Sequence, residues 1–505
     1  MPKYIGITIG PIYNTISEAR NPAGLWFASS IFSEITRMLC GELHQLNSTE
    51  SMKVNIISPY YDGIEGEYDG IGKYHDRIIF SVDNWISDKM QDIIDKVKGE
   101  IVELLPEGYK NDLQKEFIKN YLNINYVVKD IEGDVNPILE LSPYLDAIEL
   151  MPNVIKAQKD NPFESLLNKK ECNDKIKGTA KSNKQLLSNV DNESIRSIEE
   201  IAGVKEDSKE KSEEKSKAYF ATVAADGDNM GAFLKELTSD EEIRVFSGTC
   251  LEYSKAAAKL IGDFGGMTIY AGGDDLLFLA PVIGNGGKLI IELCNDLNDL
   301  FKEKIESKLP EKLHEFIPTI SSGIAIHYYK YPLYEALANA RKLLGDIKST
   351  KSKNGIALNV EKHSGQSMKL VVRNNSVDNN GNNVKNLVKN LLKYNFTEVI
   401  TDKKVNGAIY TIENMHKVIS VIDDKDMSKD DYIKIWLNFF DNEAQEKDEK
   451  YHVQLAGLYC DMYKKKSIDE ADNKSNDNSE EKPTDKLYEQ TDFTMLLRFD
   501  KFLRE

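Results

Sequence analysis

Two short acidic runs hold the chemistry most visible in this sequence. Ala225-Asp226-Gly227-Asp228-Asn229-Met230-Gly231 stands at the end of an apolar run, and Gly272-Gly273-Asp274-Asp275 stands between two others. Carboxylates crowded on neighbouring strands repel one another unless cations neutralise them. Hard divalent ions such as Mg²⁺ or Mn²⁺ take carboxylate oxygens together with phosphate and water. Two such ions about 4 Å apart can hold an attacking hydroxyl and a leaving pyrophosphate at once. Phosphoryl-type transfer needs little else from a protein than positioning and charge neutralisation. Gly-Gly-Asp-Asp alone reads equally well as an ordinary hairpin turn. The acids at 226 and 228, on the strand expected to lie beside it, favour the metal reading. Asp228 also fits a simple turn residue.

Two further groups are weighed against plainer readings. Lys348 ends a helix, where a cation satisfies the C-terminal carbonyls; it could also reach a triphosphate. His75-Asp76 is the only His-Asp dipeptide. A metal-dependent phosphohydrolase would need it on a helix, whereas here it precedes the strand-like Arg77-Ile-Ile-Phe80. No nuclease site is expected there.

The elements that must position the acids read clearly over residues 217–361. Lys217 to Ala225 predicts a strand. Ser239 caps a helix with the apolar stripe Ile243, Phe246, Cys250, Tyr253, Ala257 and Leu260. Met267–Ala271 and Leu276–Ala280 predict a hairpin around the glycines. Leu289, Leu293, Leu297 and Phe301 mark a second helix, and Thr319–Ile326 a strand. Pro332 opens a helix holding Leu333, Leu337, Ala340, Leu344 and Ile347. Gly355–Val360 closes the set. The order β-α-β-β-α-β is ferredoxin-like, the arrangement of polymerase and nucleotidyl-cyclase palms. Its first and third strands would lie side by side, bringing Asp226 to Asp274 and Asp275.

Upstream, Tyr4–Ile9, Lys53–Ile57 and Arg77–Val82 read as strands and Leu25–Leu46 as a long helix. From Tyr144 to about Lys217 the pattern is helix and linker. Helical spacing returns at Val384–Leu392, Ala408–Ile422, Asp430–Phe440, Tyr451–Met462 and Phe493–Leu503. Three polar stretches cannot bury a core: Lys205–Lys217, Arg373–Asn383 and Asp469–Lys486. The expected fold class is α+β, with two ferredoxin-like palms, a helical linker and a helical C-terminal domain.

At 505 residues the chain is too long for one core, and a division at roughly 100–200 residues per domain fits. Hydrophobic residues at 41% and charged residues at 29% suit a soluble protein. No run approaches the roughly 20 apolar residues of a membrane helix, and no secretory leader is visible. The five cysteines are scattered without a CxxC pair, which argues against disulfides and zinc and for the cytoplasm. Cys250 and Cys294 fall on apolar helix faces. The formal net charge of −18 is unlike that of a protein gripping nucleic acid unaided. Such a chain binds small nucleotides, or leaves nucleic acid to basic partner subunits.

At this point the sequence resembles a known family, the large polymerase-like subunit of type III CRISPR effector complexes, on the Cmr (type III-B) branch. Ile9-Gly10-Pro11, Ala19-Arg20 and Leu25-Trp26 look like its opening signature, and Ser197 to Ala202 like its inter-palm segment. Asp226–Gly231 and Gly272–Asp275 match its two catalytic motifs. Ser322 to His327, Lys330, Pro332-Leu333, Ala336-Leu337 and Lys348 match the next block, and Asn354–Leu358 with Lys362–Gly365 the end of the palm. The resemblance implies a degenerate first palm over 1–150, a helical, charged linker over 151–216, a catalytic palm over 217–372 and a helical domain over 373–505. It implies Asp226, Asp274 and Asp275 as catalytic, with two Mg or Mn ions on Asp226, Gly227 and Asp275. It implies nucleotide binding by Asp228, Asn229, Gly272, Gly273, Ser322 and Lys348. Other effector subunits, crRNA and target RNA would be partners, the RNA switching the palm on. Three departures matter. No histidine–aspartate nuclease domain precedes the first palm, no zinc-binding cysteine insert separates the palms, and Tyr13 after Ile12 replaces a glutamine of the opening signature.

The product expected first is cyclic oligoadenylate made from ATP. A subgroup of the family adenylates S-adenosylmethionine instead, and an acidic acceptor pocket would favour that cationic substrate. Asp62, Glu65, Glu67, Asp69 and Asp76, with Glu149 later, are candidates, Asp69 and Glu149 foremost; an acidic surface loop is the plainer reading. A non-catalytic scaffold is opposed by the intact Asp226, Asp274 and Asp275. A free-standing diguanylate cyclase would carry Gly-Gly-Asp-Glu-Phe, where Asp275 and Leu276 stand here.

Overall fold

Apolar runs build the first sheet. Strand β1 (Lys3–Gly10) buries five consecutive residues because it is central, with β3 (Arg77–Val82) on one side and β4 (Asn123–Asp130) on the other. β2 (Val54–Ser58) pairs with the far side of β3, giving the order β2-β3-β1-β4, antiparallel throughout. With the helices between them this is the ferredoxin-like order expected for the first palm. The computed structural model describes residues 3–49, 53–63, 72–83, 87–104, 111–133, 135–151, 196–204, 218–350, 353–374, 402–419, 429–440, 453, 455–457 and 490–504.

The helices of this layer follow from their caps. After α1 (Ile12–Ser17), α2 (Pro22–Thr49) begins where Asn21 Oδ1 accepts the Gly24 amide at 2.8 Å. Pro22 then stands where a missing N–H costs nothing. α3 (Ser87–Leu104) and α4 (Asp112–Tyr121) follow, and α5 (Pro137–Glu149) repeats the Asn-Pro start at Asn136. Ile35, Leu39, Leu43, Ile94, Val97 and Ile101 meet Ile5, Ile7, Ile78 and Phe80 in one core.

The chain divides into two compact units, Met1–Ile320 with Tyr329–Arg341, and Ser321–Tyr328 with Lys342–Glu505. These follow different residues from the four-part division expected from sequence. The first unit continues through the short α6 (Ile198–Ile201), capped by a Ser197–Glu200 box. It then runs through β5 (Tyr219–Asp228), α7 (Met230–Glu236), α8 (Asp240–Phe264), β6 (Met267–Gly272), β7 (Asp275–Pro281) and α9 (Ile290–Lys308). β7 lies antiparallel between β5 and β6. Ser239 caps α8 by accepting the Glu242 amide at 3.2 Å, as expected. Cys250 and Cys294 are buried. Tyr253 of α8 meets Phe301 of α9 edge-on, with centroids 4.9 Å apart, both fully buried.

In the second unit, β8 (Thr319–Tyr328, from Ser321) pairs parallel with β9 (Gly355–Glu361), and β9 antiparallel with β10 (Ser367–Arg373). α10 (Leu333–Lys348) enters this unit at Lys342. α11 (Asp402–Ile419), α12 (Lys429–Phe440) and α13 (Gln490–Arg504) supply helices of the C-terminal part, and α13 packs on β10 and α11. Val384–Leu392, the linker Lys205–Lys217 and the stretch Asp469–Lys486 lie outside the described residues, as does most of Tyr451–Met462. The mixed α+β class, with strands and helices in the palm order, is as expected. Phe301→Ala removes the ring that backs Tyr253. It should lower unfolding free energy by about 3–5 kcal/mol, seen as a lower urea midpoint with an unchanged slope.

Candidate active site

Register brings the two acidic runs together. β5 and β7 pair with Ala225 opposite Leu276, so Asp226 and Asp275 are the next residues on adjoining strands. Asp226 is half-buried and Gly227 buried. The Gly227 backbone and Asp274's own backbone N–H hydrogen-bond to the Asp274 carboxylate, against a burial that raises its pKa. A Cβ on Gly227 would stand 2.3 Å from Asp274 Oδ2, so only glycine admits this approach. Gly273 turns the hairpin with φ +81°, a conformation side chains other than glycine resist.

Asp275 is an exposed residue at the start of β7, with its carboxyl set among other charged groups. Its surroundings push its pKa up to about 8: burial first, then the charges of Asp274 and Asp76, with Arg341 opposing. Asp76 is itself raised, by burial and by Glu149, against Arg77. The arrangement is a cluster of acids held short of neutralisation, which fits a dication. Among the described residues no three His, Cys, Asp or Glu side chains close around one point. Two aspartates and a backbone carbonyl form a donor set that phosphate and water would complete.

The other expected residues take the following places, Gly272 in register with Asp275. Asp228 is fully buried and accepts from Thr319 Oγ1 at 2.7 Å. Asn229 adopts a left-handed conformation, φ 59°, and its carbonyl accepts the Ala232 and Phe233 amides at the start of α7. Gly272 ends β6. Ser322 and Lys348 belong to the second unit. There Ser322 is buried in register with Ile356. The Lys348 ammonium is lowered to about 8 by burial and by Lys353. Glu149 accepts from Thr8 Oγ1 and from Arg77 Nε, the latter at 3.0 Å. Arg77 also reaches Asp146 at 2.5 Å. Asp69, Glu65 and Glu67 lie outside the described residues.

Several site residues were not singled out from sequence. Ser254 of α8, fully buried, accepts the Gly273 amide at 3.1 Å and donates to the Cys250 carbonyl at 2.9 Å, pinning the turn to the helix. Ser254 lies four residues beyond Cys250 in the stripe's own period. Arg341, which tempers Asp275, stacks over the Tyr13 ring at 4.5 Å. Behind the hairpin lies a cavity of about 250 Å³, lined among others by Ser58, Lys73, His75, Asp76, Tyr270 and Asp275. His75 is held by Ser58 Oγ at 3.0 Å and lowered to about 4 by burial and Arg77.

A palm with paired strand-end aspartates is the class this site defines. Residues 219–357 match the family described as Cas10/Cmr2, second palm domain. The CRISPR system Cmr subunit Cmr2 of Pyrococcus furiosus is 28% identical over 175 residues, a match spanning 29% of this chain and 19% of that protein. The apo type III-B Cmr-beta structure superposes with TM-score 0.58 at 10% identity, covering 89% of this chain and 78% of that one. Cmr-beta bound to cognate target RNA gives 0.51 at 10% identity, covering 89% and 80%. At that identity the likeness is one of fold. The resemblance to the large subunits of type III CRISPR effectors, on the Cmr branch, is borne out. Among the described residues no helix is long and apolar enough to cross a membrane.

A carboxyl whose folded pKa lies above its unfolded value of about 4 favours its neutral form. Its contribution to stability is therefore lost as pH rises from about 4 through about 8. In EDTA, the stability of the wild type relative to Asp275→Asn should fall across that window in thermal melts. Excess Mn²⁺ should reverse the trend, because metal takes the deprotonated carboxylate. A difference flat with pH would place Asp275 in ordinary solvent.

Proposed function

We propose that this chain is the large subunit of a type III CRISPR effector complex. Its palm joins the α-phosphate of ATP to a ribose 3′-hydroxyl and makes a second messenger, cyclic oligoadenylate, in antiviral defence. The observation that carries this reading is the β5–β7 register, which sets Asp226 beside Asp275 with Asp274 in the turn. In the reaction the acceptor oxygen bonds to the α-phosphorus, the bond to the β-phosphate oxygen breaks, and pyrophosphate leaves. Two Mg²⁺ or Mn²⁺ ions held by Asp226, Asp275 and the Gly227 carbonyl would neutralise the charge that develops there. The protein's own part is to hold those ligands fixed and to admit phosphate close to the Gly272–Gly273 backbone. Lys348 is assigned to the donor triphosphate, whose charge would raise its lowered pKa again. The acidic balance of −18 supports leaving crRNA and target RNA to basic partner subunits in the cytoplasm.

A second reading is favoured by Asp76, whose charge is felt at Asp275 from the first palm. A carboxylate there suits a cationic acceptor, S-adenosylmethionine, which would give a SAM–AMP conjugate from the same donor site. Of the acids advanced for that pocket, Glu149 is engaged by Arg77, so Asp76 carries the argument.

Mass spectrometry of the assembled, target-bound complex, with ATP alone and with ATP plus S-adenosylmethionine, separates the two. Replacing Asp274 and Asp275 by Ala should abolish either product while leaving assembly intact; full activity of that variant would sink the assignment. Lys348→Ala should lower kcat/KM for ATP about tenfold, roughly 1.4 kcal/mol, in both reactions.

A further inference from the structure

The strand leading into the catalytic hairpin carries an irregularity. β6 pairs with β7 at Thr268–Phe278 and again at Tyr270–Leu277, so Ile269 is one residue too many. Such a bulge bends its strand and re-aims the side chains beside it. The Tyr270 ring comes to lie over Gly272: a Cβ added at Gly272 would stand 1.9 Å from the phenol oxygen and 2.2 Å from the carbon bearing it.

Behind Tyr270 stands the first palm. Gly72 forms a parallel bridge to Tyr270, and the Ala271 amide donates to the Gly72 carbonyl at 3.0 Å. A Cβ on Gly72 would meet Ser29 Oγ at 2.7 Å and Tyr270 Cδ2 at 3.4 Å. The strap beyond Gly72 is fixed to its own domain. The Tyr74 amide donates to Ser33 Oγ at 2.9 Å, and Thr36 Oγ1 donates to the His75 carbonyl at 3.0 Å. The Ile9 amide donates to the Asp76 carbonyl at 3.0 Å. The ring therefore lies between a hydrogen-bonded strap and the Gly-Gly turn.

We propose that Tyr270 is a positioning residue. Its ring, turned by the bulge and backed by Gly72, fixes the Gly272–Gly273 turn and with it the direction of Asp274 and Asp275. The proposal rests on the site reading above, and it makes the first palm a mechanical support of catalysis in the second. The hydroxyl is not needed for this; the ring is.

Wild type, Tyr270→Phe, Tyr270→Leu and Gly72→Val are compared in the assembled, target-bound complex for ATP turnover and, without nucleotide, for Mn²⁺ affinity. Tyr270→Phe should stay within about threefold of wild type in both. Tyr270→Leu and Gly72→Val should lose about tenfold or more in kcat, because misplacing reacting groups by about 1 Å can cost about 10²-fold. KM for ATP should move less than about twofold in these variants, and Mn²⁺ affinity should fall alongside kcat. Should Val at 72 prevent folding, Gly72→Ala gives the same direction with smaller amplitude. Wild-type kcat and Mn²⁺ affinity in Tyr270→Leu would overturn the proposal, as would a Tyr270→Phe variant damaged as badly as Tyr270→Leu. A wild-type complex inactive with every nucleotide would remove the functional reading, and the Mn²⁺ affinities would still decide the role of Tyr270.

Discussion

The register between β5 and β7 is the constraint from which the rest follows. With Ala225 opposite Leu276, two carboxylates sit at adjoining strand ends. A slip of one residue would send every side chain of the strand to the opposite face, carrying Asp226 away from Asp275. The register is held by burial: Phe220, Ala221, Thr222 and Val223 on one strand and Phe278, Leu279 and Ala280 on the other are fully enclosed. The apolar core thus sets the distance over which the acids repel one another. The hairpin cannot relax outwards, because Ser254 ties the turn to α8.

The first palm repeats this strand plan. β3 plays towards β1 the part that β7 plays towards β5, since each is the third strand in its ferredoxin-like order. Asp76 immediately precedes β3, and Asp275 begins β7. At the end of β1, where β5 has Asp226-Gly-Asp228, the sequence is Gly10-Pro11. The first palm thus has no acid at the end of β1 and a carboxylate just before its third strand, and that carboxylate bears on Asp275. The His75-Asp76 dipeptide stands at the entrance to β3. Its histidine is a half-buried ring bonded to Ser58, and its aspartate lines the cavity.

Much of the second palm was legible because each element announces itself locally. The Ser239 cap, the stripe from Ile243 to Ala257 and the glycine turn are short-range signals, and the structure places all three as read. β4 was not foreseen: Asn123, Asn125 and Asp130 interrupt its pattern, and as an edge strand it is only half-buried. β10 was missed for another reason. Ser367–Arg373 alternates in burial and lies, all but its last residue, within the expected palm of 217–372, but the β-α-β-β-α-β set was already complete at Val360. Ser254, Tyr270 and Arg341 were illegible as site residues because their roles depend on contacts between elements distant in sequence. A serine and a tyrosine inside amphipathic patterns carry no mark of the turn they hold.

One arginine bears on the acidic cluster through its charge. Arg341 is the cation that counters the rise in the Asp275 pKa, and its guanidinium rests on Tyr13, at the position where the opening signature departs from its usual glutamine. A guanidinium on an aromatic face keeps its charge while shedding little hydration. A glutamine at 13 would offer a hydrogen-bonding amide and no such face. Tyr13 therefore bears on the acids only through the guanidinium that rests on it. Because Tyr13 is exposed, solvent screens the guanidinium that lies on it.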